Sequence, residues 1–164
     1  MKHELNFLDA IRMAKEAERK AAIFYADAAQ KTSNPLSKEL YEQLAGFERY
    51  HHTKLVDLEE SLCENDACIM YKGRELVFPV PDEVEKIQES DKMSAMGIIT
   101  MAIEISSKAQ ERYTTLAGRT PDPAGQVMFK RLAKEEHANH RILNNVYWEL
   151  NNRGGDVWVE RIVN

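Results

Sequence analysis

Cys63 and Cys68 are the only two cysteines in the chain, too few for a four-thiolate metal centre, and their C-x4-C spacing matches none. A disulfide and a pair of reduced thiols near a helix end are both open readings. The second fits a cytosolic chain better. Glycine and proline are also scarce, seven and five residues, which argues against a turn-rich β fold and for long helices. The net charge is −5 and no basic block offsets it, so nucleic acid is not an expected partner. No apolar run approaches the roughly 20 residues that cross a bilayer, and none follows Met1-Lys2-His3-Glu4-Leu5-Asn6. Neither a membrane span nor a signal peptide is expected, and the expected location is the cytoplasm.

The chain does have 43% hydrophobic and 30% charged residues over 164 positions, enough for one domain with its own core. Apolar residues recurring at helical spacing predict four helices, over Asn6–Gln30, Ser37–Leu62, Ser94–Gly118 and Ala124–Asn151. On the first, Phe7, Ile11, Ala14, Ala21, Ala22, Tyr25 and Ala29 share a face with Glu18 at its centre. Leu40, Leu44, His51, Leu55 and Leu58 form the stripe of the second, with Glu48 inside it. Ser37 is the expected N-cap there. On the third, Ile98, Ile99, Ala102, Ala109, Tyr113, Leu116 and Ala117 align around Ser106. The fourth carries Phe129, Leu132, Glu136, Leu143, Tyr147 and Leu150, flanked by Asn139 and His140.

From about residue 63 to 92 the helical period breaks, and Glu75-Leu76-Val77-Phe78-Pro79-Val80-Pro81 is extended and proline-marked. A connection of this length fits a bundle whose second and third helices run parallel, so that the chain returns the length of the bundle. A lid or a dimer contact are further uses for it. After Gly154-Gly155 a short tail remains, with Trp158 as its expected anchor.

The halves 13–62 and 101–150 align without a gap at an offset of 88 residues, and about a third of the positions from Met13 to Leu55 are identical. Tyr25 meets Tyr113, Pro35 meets Pro123, Glu48 meets Glu136 and Leu55 meets Leu143. Two similar helical hairpins imply a pseudo-two-fold four-helix bundle within a single domain. Among the chemically capable residues, Glu18 pairs with Ser106, Glu48 with Glu136, and His51 with Asn139.

Three features now stand together: Glu18-Arg19-Lys20-Ala21-Ala22-Ile23-Phe24-Tyr25, then Leu44-Ala45-x-x-Glu48-x-x-His51, then Leu132-Ala133-x-x-Glu136 running into Arg141-Ile142-Leu143. In them the sequence resembles the rubrerythrin-like branch of the ferritin-like di-iron carboxylate superfamily. The resemblance implies an all-α, ferritin-like four-helix bundle with a long crossover between helices 2 and 3. It further implies two irons, held by a Glu on helices 1 and 3 and a Glu-x-x-His on helices 2 and 4. Glu18 and His51 would serve one metal and the positions of Ser106 and Asn139 the other, with Glu48 and Glu136 bridging. At Ser106 and Asn139 the terminal ligands are missing, so one half-site is whole and its twin is depleted. The family's thiolate iron centre is absent too. The resemblance implies peroxide reduction or ferroxidase activity, an external electron donor, and a homodimer.

Three carboxylates aimed at one core would repel strongly without a metal or protons. Oxygen ligands with one imidazole suit iron, manganese or zinc. The other reading is that these acids are protonated or ion-paired in a site that no longer binds metal. His140, four residues after Glu136, is a candidate replacement ligand or one of two surface histidines with His52. His137, Glu16 and Glu104 read as surface groups. Tyr25 and Tyr113 read as core residues, or as donors to a metal ligand. Two functions remain open: redox chemistry at the metal site, or a metal-binding or metal-free structural role without turnover.

Overall fold

The computed structural model describes residues 7–64, 89–121 and 123–152. It contains four helices, α1 (Phe7–Lys31), α2 (Pro35–Glu64), α3 (Glu89–Arg119) and α4 (Pro123–Asn152), and no strand among the described residues. None of these helices is long and apolar enough to cross a membrane. The expected extended segment, Cys68 and the Trp158 anchor lie outside the described residues.

The cap of α2 differs from the expectation. Asn34, not Ser37, holds it: Asn34 Oδ1 accepts from the backbone N–H groups of Leu36 and Ser37, each at 3.0 Å. Pro35 then takes the first helical position, where its missing N–H leaves nothing unsatisfied and its fixed φ suits the helix. Ser37 falls inside the first turn. The ends of α1 and α3 close alike, with Thr32 N donating to Ala28 O at 3.1 Å and Thr120 N to Leu116 O at 2.9 Å. These two threonines are 88 residues apart. Helix α3 starts earlier than predicted, at Glu89. The polar run Glu89-Ser90-Asp91-Lys92 has no apolar period to reveal it.

The apolar core is divided in two. One cluster joins the end of α1 (Ala21, Tyr25, Ala28, Ala29), the start of α2 (Leu40, Tyr41, Leu44, Ala45), the start of α3 (Ala95, Ile99, Ala102) and the end of α4 (Leu143, Val146, Leu150). The other joins Ile11 and Ala14, Leu55 and Leu58, Ala109 to Ala117, and Met128 to Leu132. Helices α1 and α4 therefore start at one end of the bundle, and α2 and α3 finish there. Helices α2 and α3 run parallel, and the chain between Glu64 and Glu89 must span a bundle about 45 Å long at 1.5 Å per residue. Residues 88 apart fall in opposite clusters: Tyr25 in one and Tyr113 in the other, Leu143 in one and Leu55 in the other. A pseudo-two-fold axis thus crosses the middle of the bundle, between the clusters.

Within each hairpin the backbones approach closely, α1 along α2 and α3 along α4. Between hairpins close approach is largely confined to α1 and α3. The layer separating the two apolar clusters is where the buried acids sit.

Candidate metal centre

Glu18, Glu48, His51 and Glu136 each place one ligand atom within 4.8 Å of all the others. All four are buried, His51 and Glu136 completely. They arrive there because each occupies the centre of its helix's apolar stripe, one from α1, two from α2 and one from α4. On α2 the three-residue step from Glu48 to His51 brings both onto one face.

His51 is the pivot. Its Nδ1 lies 3.1 Å from Glu136 Oε1 and 3.6 Å from Glu18 Oε1, but neither contact has hydrogen-bond geometry. On the other side of the ring, Nε2 lies 3.3 Å from Glu135 Oε2. The ring rests on Phe47, centroids 4.0 Å apart, and meets the edge of Tyr113 at 5.9 Å. A carboxylate behind one nitrogen leaves the other facing the cluster, an arrangement that fixes the tautomer and orientation of a ligating imidazole. Glu135 is the functional residue the sequence reading missed. Its repeat mate is Phe47, so symmetry gave no signal. Its position one residue before Glu136 places it off the stripe, yet within reach of a ring coming from α2.

The Tyr113 hydroxyl donates to Glu18 Oε1. Tyr113 also stacks on Phe129, so the phenol is held from both ends. Burial alone would raise the pKa of Glu18. Its close contacts with Glu48 and the His51 ring, the Tyr113 hydroxyl and the charge on His51 overcome that and hold it at about 2. Glu48 moves the opposite way, well above the carboxylate range, through burial and the charges of Glu136 and Glu18. Burial also raises Glu136, to about 7, with His51 opposing the shift and Glu18 adding to it. His51 is raised despite burial, because Glu135, Glu136 and Glu18 surround it. Without a metal, burial and mutual repulsion thus favour the protonated forms of Glu48 and Glu136, and the surrounding carboxylates favour the protonated His51.

The metal-free chain should therefore be less stable at pH 8 than at pH 5. A carboxyl with a raised folded pKa stabilises while it stays protonated. For Glu136 that contribution is full below about 4.5 and is lost as the pH rises through about 7. His51, also raised, loses its contribution in the same direction above 6.5. Glu18 is lowered, so its contribution persists through this window and fails only in acid. Moving one carboxyl from 4.5 to about 7 is worth on the order of 3 kcal/mol. Urea unfolding of chelator-treated protein at the two pH values measures it, and equal free energies would contradict the arrangement.

The residues 88 positions from Glu18 and His51 are buried as well. Ser106 and Asn139 are 1% and 3% exposed. Tyr25 Oη and Asn139 Nδ2 are buried without a hydrogen-bond partner. Burial, then the charges of Glu48, Glu136 and Glu18, raise the Tyr25 phenol well above 10. His140 is half-buried, lowered by burial and by His137, and is not one of the four converging groups. His137 is exposed, with Nδ1 3.3 Å from Gln110 Oε1. Glu16 pairs with Arg19 and Glu104 with Lys108 on the surface.

Between α1 and α3 a groove of about 340 Å³ runs down to Glu18. Phe24, Met101 and Ile105 contribute to its apolar wall, and Lys20, Lys108 and Arg112 bring positive charge.

The donor set can hold a metal ion. Glu48 Oε2, both oxygens of Glu136 and His51 Nδ1 are buried with no hydrogen-bond partner, and a cation placed among them would satisfy all four at once. One imidazole with carboxylate oxygens is a set that iron, manganese and zinc accept.

No family model matches the chain, and no curated protein matches it. A solved structure, the hypothetical protein Pfu-1136390-001 from Pyrococcus furiosus, superposes with a TM-score of 0.70 at 22% identity, over 91% of this chain and 92% of its own. At that identity the likeness speaks for the fold alone: the described residues form an all-helical four-helix bundle with a buried carboxylate–histidine group that can accommodate a metal.

Proposed function

We propose that the chain binds one iron ion through Glu18, Glu48, His51 and Glu136. It acts on peroxide or dioxygen there, as a rubrerythrin-like oxidoreductase that has kept one half of a two-metal site. The observation that carries this reading is the convergence of four buried ligand atoms within 4.8 Å. A redox-active metal supplies the electron transfer, with an external donor restoring it. The chain's own residues position the ligands. Tyr113 holds Glu18 by its hydroxyl. Glu135 receives His51 Nε2, leaving Nδ1 for the metal. Uptake displaces the protons of Glu48, His51 and Glu136, so binding strengthens as the pH rises and releases acid.

A second reading, metal binding without turnover, is favoured by the paired replacement at Ser106 and Asn139. A single metal supports bridged two-electron chemistry poorly. Ferrous iron titrated anaerobically into chelator-treated protein should saturate at one ion per chain, and Glu48→Ala should abolish the saturable phase. An unchanged isotherm in that variant would refute the ligand set. Peroxide consumption by the loaded protein separates the two readings.

A further inference from the structure

The two halves of the cluster differ in what they leave unsatisfied. In the kept half Tyr113 donates to Glu18. Shifted by 88 residues, the same tyrosine is Tyr25 and the same acid is Ser106. The serine is one methylene shorter and ends in a hydroxyl instead of a carboxylate, and the Tyr25 hydroxyl is left buried with no partner. Asn139 stands where His51 stands in the other half, and its amide nitrogen is also buried and unpartnered. Both orphaned groups are hydrogen-bond donors. A cation among the acids satisfies the orphaned acceptors and does nothing for these donors. Each needs a lone pair, because a buried donor left unmet keeps its full desolvation penalty.

We propose that the vacated half is a receptor for a small anion, held by the Tyr25 hydroxyl and the Asn139 amide and facing the metal; this rests on the metal-binding reading above. Charge permits it. A divalent ion and the Arg112 guanidinium, whose field reaches both Glu48 and Glu136, together balance the three carboxylates. The anion then enters a site without net negative charge. Ser106 and Asn139 are also smaller than Glu18 and His51, the residues 88 positions away. Ser106 is part of the receptor by its shortness, since a carboxylate there would take the Tyr25 hydroxyl for itself.

Cobalt(II) and azide test it. Cobalt bound at the cluster gives visible d–d bands, and saturating azide should shift them. In Tyr25→Phe/Asn139→Leu, azide affinity should fall at least tenfold while cobalt affinity stays within about twofold. Ser106→Glu, which gives Tyr25 the partner that Tyr113 has, should abolish the azide response in a protein that still binds cobalt. Cobalt bands indifferent to azide, or an azide affinity unchanged in both variants, overturn the anion receptor and leave the metal site standing. Absence of any cobalt bands overturns the metal reading and the receptor with it.

Discussion

Ferrous iron or cobalt(II) at about a thousand times its dissociation constant should raise the melting temperature by roughly 8–16 °C. A ligand bound only by the folded state at that excess stabilises it by about 4 kcal/mol, and a chain of this size gains about 2–4 °C per kcal/mol. The fold gives the effect its leverage. Each hairpin packs well within itself, but close approach of the two backbones is largely limited to α1 and α3. The cluster joins α1 and α2 of one hairpin to α4 of the other, in the layer between the two apolar clusters. A bound ion would therefore tie the two hairpins together. Scanning calorimetry with metal and with chelator measures the shift. In Glu136→Gln it should fall to near zero. That variant, free of metal, should melt no lower than the parent at pH 8, because a buried carboxyl raised to about 7 gives way to a neutral amide of similar shape. A full shift in the variant would place the ion elsewhere.

Placing a glutamate and a histidine at the positions matched to Glu18 and His51, Ser106→Glu with Asn139→His, should raise metal content toward two ions per chain. The new acid would sit where the pseudo-two-fold axis carries Glu18, within reach of the Tyr25 hydroxyl. The new imidazole would sit where it carries His51. The same change should weaken the metal-free protein, since a fourth carboxyl enters a layer that already holds three. An uncompensated buried charge costs several kcal/mol or is neutralised by a proton. The expected signature is thus a wider gap between metal-free and loaded stability, together with doubled metal by elemental analysis. Content fixed at one ion would count against the repeat-based assignment of Ser106 and Asn139 as ligand positions.

Much of this molecule can be read from spacing. Each predicted stripe is largely buried, because a residue at the centre of a helical face has no other place to go. Glu18, Glu48, His51 and Glu136 were legible for the same reason, as polar residues at apolar positions. Capping was harder. Asn34 and Ser37 both carry a capping side chain, and Pro35 decides between them by fitting the first turn better than the position before it. Glu135 was not legible at all. A carboxylate that receives a ring from across the bundle leaves no trace in its own helix's period. The start of α3 is not legible because Glu89-Ser90-Asp91-Lys92 carries no apolar period.

The exchange of the two apolar clusters under an 88-residue shift bears on how a one-sided centre can exist. Two copies of a single hairpin could meet about the same axis and close a similar bundle. In such a pair every substitution would be made twice, so any loss at the position of Ser106 would also be a loss at the position of Glu18. Covalent linkage removes that constraint. One hairpin can keep its acid and imidazole while the other exchanges them for a hydroxyl and an amide. The long span from Glu64 to Glu89 is the segment that joins the two hairpins, and with it the freedom to make the two faces of one buried site chemically unlike.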